Sequence, residues 1–517
     1  MTDTVEKAGR REWIGLAVLA LPCLLYSMDL TVLNLAVPQL TADLRPSATQ
    51  LLWIVDIYGF LVAGSLITMG TLGDRIGRRR LLLTGAVAFG AASVLAAFST
   101  TAEMLIFARA LLGLAAATLA PSTLSLLRNM FLDPVERTFA IGVWIASFSA
   151  GGAIGPLVGG LLLNWFWWGS VFLIAVPIMV LLLALGPYLL PEYKDPDAGK
   201  LDLASAALSL ASVLAVIFGL KGMAAEGFGW ASVAAILAGL ALGLVFVRRQ
   251  GRLAEPFIDL RLFRSPAFSA SLAVNILAFF VAFAAFLTIA QYLQLVVGLS
   301  PLAAGLYSLP SGIAFVAGSL LTPRIAGRFR PAVVITAGLL TAAAGFALFT
   351  QVGGKNDVAV IVAAYVIFSI GLAPVFTMTT DLIVGTVPPS KAGMASGLAE
   401  TSTEFGGALG IAVMGSIATV IYRRAMEGAV PTVVPADIAN AARETLGGAV
   451  SVADALPPEV AATLLDLGRA AFTDGVQLTA GISALVALGT AVLVLVLLRR
   501  QGGDAAAGEI APSSAAG

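Results

Sequence analysis

The sequence has no histidine and a single cysteine, Cys23. One cysteine excludes an intramolecular disulfide, and without histidine any proton handling must fall to carboxyl groups. Charge is scarce too: Asp, Glu, Lys and Arg make up 12% of the 517 residues, and the two signs balance at 30 each. That balance gives no basic field, so nucleic acid is not an expected partner. No G-x-x-x-x-G-K-[ST] loop is present, which argues against an ATP-driven pump. No metal-ligand cluster is legible either, so an enzyme is not expected and no cofactor is called for.

Apolar length is what the chain has in abundance. Hydrophobic residues make up 59% of it, the composition of an all-α polytopic membrane protein whose first partner is the bilayer. Fourteen apolar segments can be read, at about 13–37, 51–71, 81–99, 104–126, 138–162, 168–189, 203–222, 229–248, 267–291, 303–322, 332–350, 358–385, 393–421 and 475–498. The first is too long for the core of a cleaved signal peptide and reads as an uncleaved span. Lys and Arg in short loops set orientation. With the N-terminus inside, 22 of them, from Lys7 to Arg500, fall on the cytoplasmic side, against Arg45, Lys221 and Lys355 outside. Both termini are therefore expected in the cytoplasm. The long outer loop, about 422–473, holds PADIANAARETLGGA and PPEVAATLLDLGRAAF. Each is a proline-started, alanine-rich amphipathic pattern, and together they predict a helical hairpin on the outer face. The low-complexity tail 501–517 is expected to be disordered.

One span carries acids. In Lys391–Ile421, Glu400 and Glu404 lie four residues apart and so share a helix face. Glycines follow at 406, 407, 410 and 415, small residues that let a neighbouring helix come close. The stretch 137–161 repeats this glycine pattern at an offset of 255: Gly142 matches Gly397, Gly151 and Gly152 match Gly406 and Gly407, Gly155 matches Gly410, and Gly160 matches Gly415. The acids are not repeated, because Ile145 and Ser149 stand at their positions. A packing role should look alike in both copies, so the acids read as an addition to one half. A carboxyl group withdrawn from water holds its proton more tightly, and a nearby cation favours its charged form. Proton and cationic cargo would then compete for one group.

Between the second and third segments, Gly70, Asp74, Arg75, Gly77, Arg78 and Arg79 form G-x-x-x-D-R-x-G-R-R. This spacing resembles the signature of the major facilitator superfamily at the same loop. Asp29, Thr31, Asn34 and Pro38 resemble the first-helix motif of fourteen-helix drug:proton antiporters, and Arg109 their fourth-helix arginine. Gly151, Gly155, Pro156, Gly159 and Gly160 resemble their fifth-helix antiporter motif. With Trp53, Asp56 and Tyr58, the likeness is greatest to QacA-like quaternary-ammonium exporters and runs from about Trp13 to Arg500. It implies the major facilitator fold, with six-helix bundles at 1–190 and 267–500, two inserted helices at 191–266, and function as a monomer. It also implies proton-driven export of lipophilic cations, with Asp29, Asp56, Glu400 and Glu404 in coupling and recognition. Some relatives carry a further acid in the tenth helix, whereas Ala303–Thr322 has none.

By depth, Arg109 is placed to pair with Asp29. Trp53, Tyr58, Trp144 and Phe148 are candidates for cation–π contact with cargo. Asp381, close to Pro388 and Pro389, reads as a solvated helix-end acid. The alternative is a transporter of one specific metabolite or antibiotic, and an acid-bearing second half favours cationic cargo over it.

Overall fold

The computed structural model describes residues 7–195, 202–226, 229–253, 256–354, 357–430 and 434–498; the tail 501–517 lies outside them, as do Lys200, Lys355 and Arg499–Arg500. Every regular element among the described residues is helical. The first half runs α1 (Arg10–Leu44), α2 (Ala48–Ile76), α3 (Arg78–Ala97), α4 (Ala102–Met130), α5 (Pro134–Trp165), α6 (Ser170–Leu173) and α7 (Ala175–Leu189). Next come α8 (Leu203–Glu226) and α9 (Trp230–Gln250). The second half runs α10 (Pro266–Gln291), α11 (Pro301–Ala326), α12 (Pro331–Phe349), α13 (Val358–Gly385), α14 (Ala392–Glu427), α15 (Ala436–Glu444), α16 (Leu446–Ala453) and α17 (Pro458–Leu498).

Among the described residues, thirteen helical segments are long and apolar enough to cross a membrane, α6 and α7 together forming one of them. The fourteenth is α5, bent by 40° between Pro134–Gly152 and Leu157–Trp165. Pro156 falls in that break and has no amide proton to close the helical ladder. Helix starts follow local chemistry. Ser47 accepts from the Gln50 amide, Thr101 from the Met104 amide, and Asp133 from the Val135 and Glu136 amides ahead of Pro134, each satisfying orphan donors.

The glycine repeat is a repeat of packing. A Cβ at Gly151 would collide with the Leu24 carbonyl of α1, and one at Gly406 with the Ile276 carbonyl of α10. The same helix pair therefore closes in each half, backbone on backbone. One turn pair earlier the two copies cross between halves: Gly142 abuts the Ser319 backbone of α11, and Gly397 abuts Leu66 of α2. This crossed arrangement sets α2, α5, α11 and α14 around the interface.

The inserted helices are not a loose appendage. Val216 and Leu220 of α8 pack on Ala412, with Phe405 and Leu409 of α14 beside them. Ile217 packs on Phe60 and Ala63 of α2. Thus α8 covers the seam between α2 and α14. In turn α9 packs on α8, where Gly239 meets Ser212 and Val216, and exposes Leu237, Leu240 and Leu244 on its other side.

The outer segment departs from the hairpin expectation. The first pattern splits into α15, ADIANAARE, and the start of α16, and the second is no separate arm: from Pro458 it begins α17 and continues without a break to Leu498. Tyr422 at the end of α14 donates to the Ala442 carbonyl, which docks α15 onto the bundle.

Candidate functional site

Glu400 and Glu404 sit on the face of α14 that looks toward the first half. Asn275 of α10 holds that helix from behind: its amide donates to Ser402 Oγ at 2.8 Å and Thr403 Oγ1 at 3.1 Å. Thr379 of α13 donates to Asn275 Oδ1 at 3.2 Å. From the other half, the Tyr26 hydroxyl of α1 donates to Glu404 Oε1 at 2.8 Å. Glu400 is buried one turn away.

Around Tyr26 the first half supplies an aromatic box. The Phe148 ring lies 5.4 Å from Tyr26, Trp144 lies 4.7 Å from Phe148, and Tyr58 lies 6.2 Å from Tyr26. Trp144 Nε1 donates to Thr123 at 2.9 Å, so its ring is fixed by α4. The Arg109 guanidinium lies 4.6 Å from the centre of the Tyr58 ring and forms an ion pair with Asp29. Its Nε donates to the Ile54 carbonyl at 3.1 Å. A continuous run, Glu404–Tyr26–Tyr58–Arg109–Asp29, therefore joins the acid helix of the second half to an ion pair inside the first.

Trp53 does not reach this box. It is 40% exposed and lies 6.3 Å from Phe60, so it serves the α2 flank instead. The second half contributes aromatics that the sequence reading passed over: Phe279, Phe283 and Phe286 at i, i+4 and i+7 on α10. Phe283 packs on Gly407, and Phe279 stacks on Phe376 at 4.0 Å. Their spacing was the available signal.

Asp56 faces the inserted pair. Lys221 Nζ of α8 donates to Asp56 Oδ1 at 2.5 Å. Tyr26, Asn275 and Lys221 are further site residues that no motif marks, because only the helix packing brings them in.

The G-x-x-x-D-R-x-G-R-R turn forms a latch between the halves. Asp74 accepts from Arg78 Nε at 2.9 Å and Nη2 at 2.7 Å. Across the seam it accepts from the Gly393 amide at 2.9 Å and the Met394 amide at 2.8 Å, at the start of α14. Helix starts present unpaired amides, and a carboxylate is the natural partner for them. Arg78 reaches over to the Pro389 and Ser390 carbonyls at 2.6 and 2.9 Å. Gly70 lets α2 touch the Gly393 backbone. Gly77 has φ 110°, a value that L side chains rarely adopt. Arg79 pairs with Glu192, while Arg75 lies over the Phe257 ring at 5.1 Å.

Asp381 corrects its sequence reading. It is buried, not solvated: Arg137 Nε donates to it at 2.6 Å and Thr138 Oγ1 at 2.7 Å, both from α5 in the other half. The fifth-helix glycines bind α5 to α1, Gly155 against Thr31 and Met28, and Gly159 against Val32, whereas Gly160 meets nothing. The side chains of Asn34, Pro38 and Pro156 are outside what is described.

Helices joined at one end by a polar latch, with carboxyl groups held between them in a chain of membrane-spanning helices, define a membrane transporter. The Major Facilitator Superfamily model matches residues 19–411, and the chain belongs to that superfamily. It is 44% identical over 499 residues to the multidrug efflux pump LfrA of Mycolicibacterium smegmatis, covering 96% of this chain and 99% of that one. It is 34% identical to the methyl viologen resistance protein SmvA of Salmonella typhimurium over 464 residues, 89% and 93% of the two chains. To the tetracenomycin C resistance and export protein of Streptomyces glaucescens it is 31% identical over 515 residues, 98% and 96% of the two. Among solved structures, the human organic anion transporter MFSD10 (TETRAN) shares the fold with a TM-score of 0.62 at 15% identity, over 93% of this chain and 99% of that one.

Proposed function

We propose that this protein exports lipophilic cationic drugs, dyes and quaternary ammonium compounds from the cytoplasm in exchange for protons. One contrast carries the reading. Asp29, Asp56, Asp74 and Asp381 are each paired with an arginine or lysine of the chain. Among the described residues, Glu400 and Glu404 form no ion pair, although they share one helix face on which Glu400 is buried and Glu404 half-buried. Two carboxylates there cannot both stay ionised without a cation, so protons or a cationic cargo must supply the neutralisation. Taking up cargo displaces protons, and taking up protons releases cargo.

The aromatic box of Tyr26, Tyr58, Trp144 and Phe148 suits flat or quaternary cations. The relatives named for multidrug efflux and methyl viologen resistance support the same cargo class. The latch at Asp74 and Arg78 and the Arg137–Asp381 pair lie at the Lys/Arg-rich end, taken as cytoplasmic. This state therefore has its inner side shut. For the inner side to open, the latch must part as α2, α5, α11 and α14 rock about their glycine crossings.

Everted membrane vesicles carrying a respiration-driven proton gradient test this. Adding monovalent cationic dyes should release protons, while a panel of neutral and anionic metabolites should not. Proton release by one metabolite and none by the dyes would favour the single-cargo transporter.

A further inference from the structure

Lys221 does not belong to any motif, yet its placement is specific. Near the outer end of α8, it leaves the inserted pair and reaches the first half. Its Nζ is 2.5 Å from Asp56 Oδ1 and 4.7 Å from the centre of the Phe60 ring. Asp56 and Phe60 are four residues apart on α2 and share a face, so carboxylate and ring make one cradle for an ammonium group. That is the chemistry a cationic cargo would seek, and a cation of the protein lies in it.

Two further observations separate this pair from an ordinary structural bridge. First, α8 is packed on α2 through Ile217 and directly on α14 through Val216 and Leu220. The lysine therefore sits on a helix that touches both the Asp56 helix and the acid helix. Second, the side chains of Lys221 and Asp56 are 41% and 31% exposed, against 1% and 13% for Arg109 and Asp29. The Arg109 pair is locked in place; the Lys221 pair can exchange with a competitor.

We infer that Lys221 is a tethered counter-cation that fixes the charge class of the cargo. It neutralises Asp56, so the cleft offers the Glu400–Glu404 pair alone and favours monocations. Without it, Asp56 adds an anionic contact apart from that pair and dications gain. This inference rests on the cationic-export reading above.

The test measures efflux of ethidium, a monocation, and methyl viologen, a dication, from glucose-energised cells, with expression checked by blot. Lys221→Met should lower the apparent KM for methyl viologen about tenfold, as freeing one unit charge at a partly exposed site allows. The KM for ethidium should shift less than about threefold on the same grounds. Lys221→Arg, which keeps the cation, should behave as wild type. Asp56→Asn combined with Lys221→Met should abolish the gain. Equal changes for both cargos, no change, or a gain that survives in the double variant would overturn the inference. Should Lys221→Met fail to reach the membrane, Lys221→Gln is read in the same way. Wild-type protein that exports neither cation would refute the proposed function and this inference with it. Export of ethidium with an unaltered cargo ratio in Lys221→Met would refute the inference alone.

Discussion

Asp74→Asn is the substitution whose consequence can be worked furthest from the structure. The carboxylate accepts four hydrogen bonds, two from Arg78 and two from the Gly393 and Met394 amides across the seam. Asparagine keeps the size, removes the charge and turns one acceptor oxygen into a donor. That donor must face either the guanidinium or an amide, so at least one bond is lost and the others weaken. Hydrogen bonds to charged groups contribute about 1.5–3 kcal/mol each. Losing one across the seam and weakening its neighbour gives about 2–4 kcal/mol against the closed inner end. At about 1.4 kcal/mol per factor of ten, the closed population falls roughly 30- to 1,000-fold relative to the open one. Arg78 still holds the Pro389 and Ser390 carbonyls, which keeps the effect from exceeding that range. Spin labels at Arg80→Cys and Arg328→Cys in a Cys23→Ser background report the separation of the halves, since both positions are exposed. The variant should populate a longer inter-label distance and transport slowly, with dye affinity within about twofold of wild type because no cargo contact is touched. An unchanged distance distribution with weakened dye affinity would refute the reasoning.

The second inter-half pair should behave alike: in the same distance assay, Arg137→Ala and Asp381→Ala should couple by about 1–3 kcal/mol, as groups in one network do, and zero coupling would show the pair to be incidental. Glu400→Gln should weaken efflux of some cationic dyes at least about fivefold more than others, because the buried acid acts on cargo fit; a uniform loss across a dye panel would instead make it a coupling group. For topology, an impermeant maleimide should label Asp454→Cys in intact cells and Arg261→Cys only after lysis, in the Cys23→Ser background. The reverse pattern would invert the orientation.

Much of the architecture was legible because lipid imposes it. Spans must be long and apolar, and close backbone crossings tolerate little besides glycine. Hence Gly151 and Gly406 betrayed their duplicated contacts with Leu24 and Ile276. Depth placed Asp29, Asp56 and Arg109 alike in the outer halves of their spans, and Asp29 is the acid that Arg109 meets. Other features depend on which helices meet, and no local pattern records that. Asp381 has two prolines nearby and reads as a helix end, but its partner Arg137 is 244 residues away in the other half. Tyr26 and Glu404 are separated by 378 residues, and an isolated tyrosine in a span carries no signal. The start of α17 was misread for a different reason: nothing between Pro458 and Leu498 breaks a helix, and an amphipathic segment looks the same whether it ends or continues into a span.

The central claim is that Glu404 carries a coupling proton and gives it up to cationic cargo. Glutamine at 404 keeps the volume and can still accept from Tyr26, but it cannot ionise. Purified wild-type and Glu404→Gln protein in proteoliposomes, loaded with a monovalent cationic dye, separate the two ideas in one measurement of dye flux and internal pH. Wild type should move dye uphill when a proton gradient is imposed and move protons when a dye gradient is imposed. Glu404→Gln should reach the same reconstituted level, bind dye through its aromatic box, and show neither coupled flux. Uphill dye movement by Glu404→Gln at the wild-type rate would contradict the account and move the coupling proton elsewhere, with Asp29 the next acid to test.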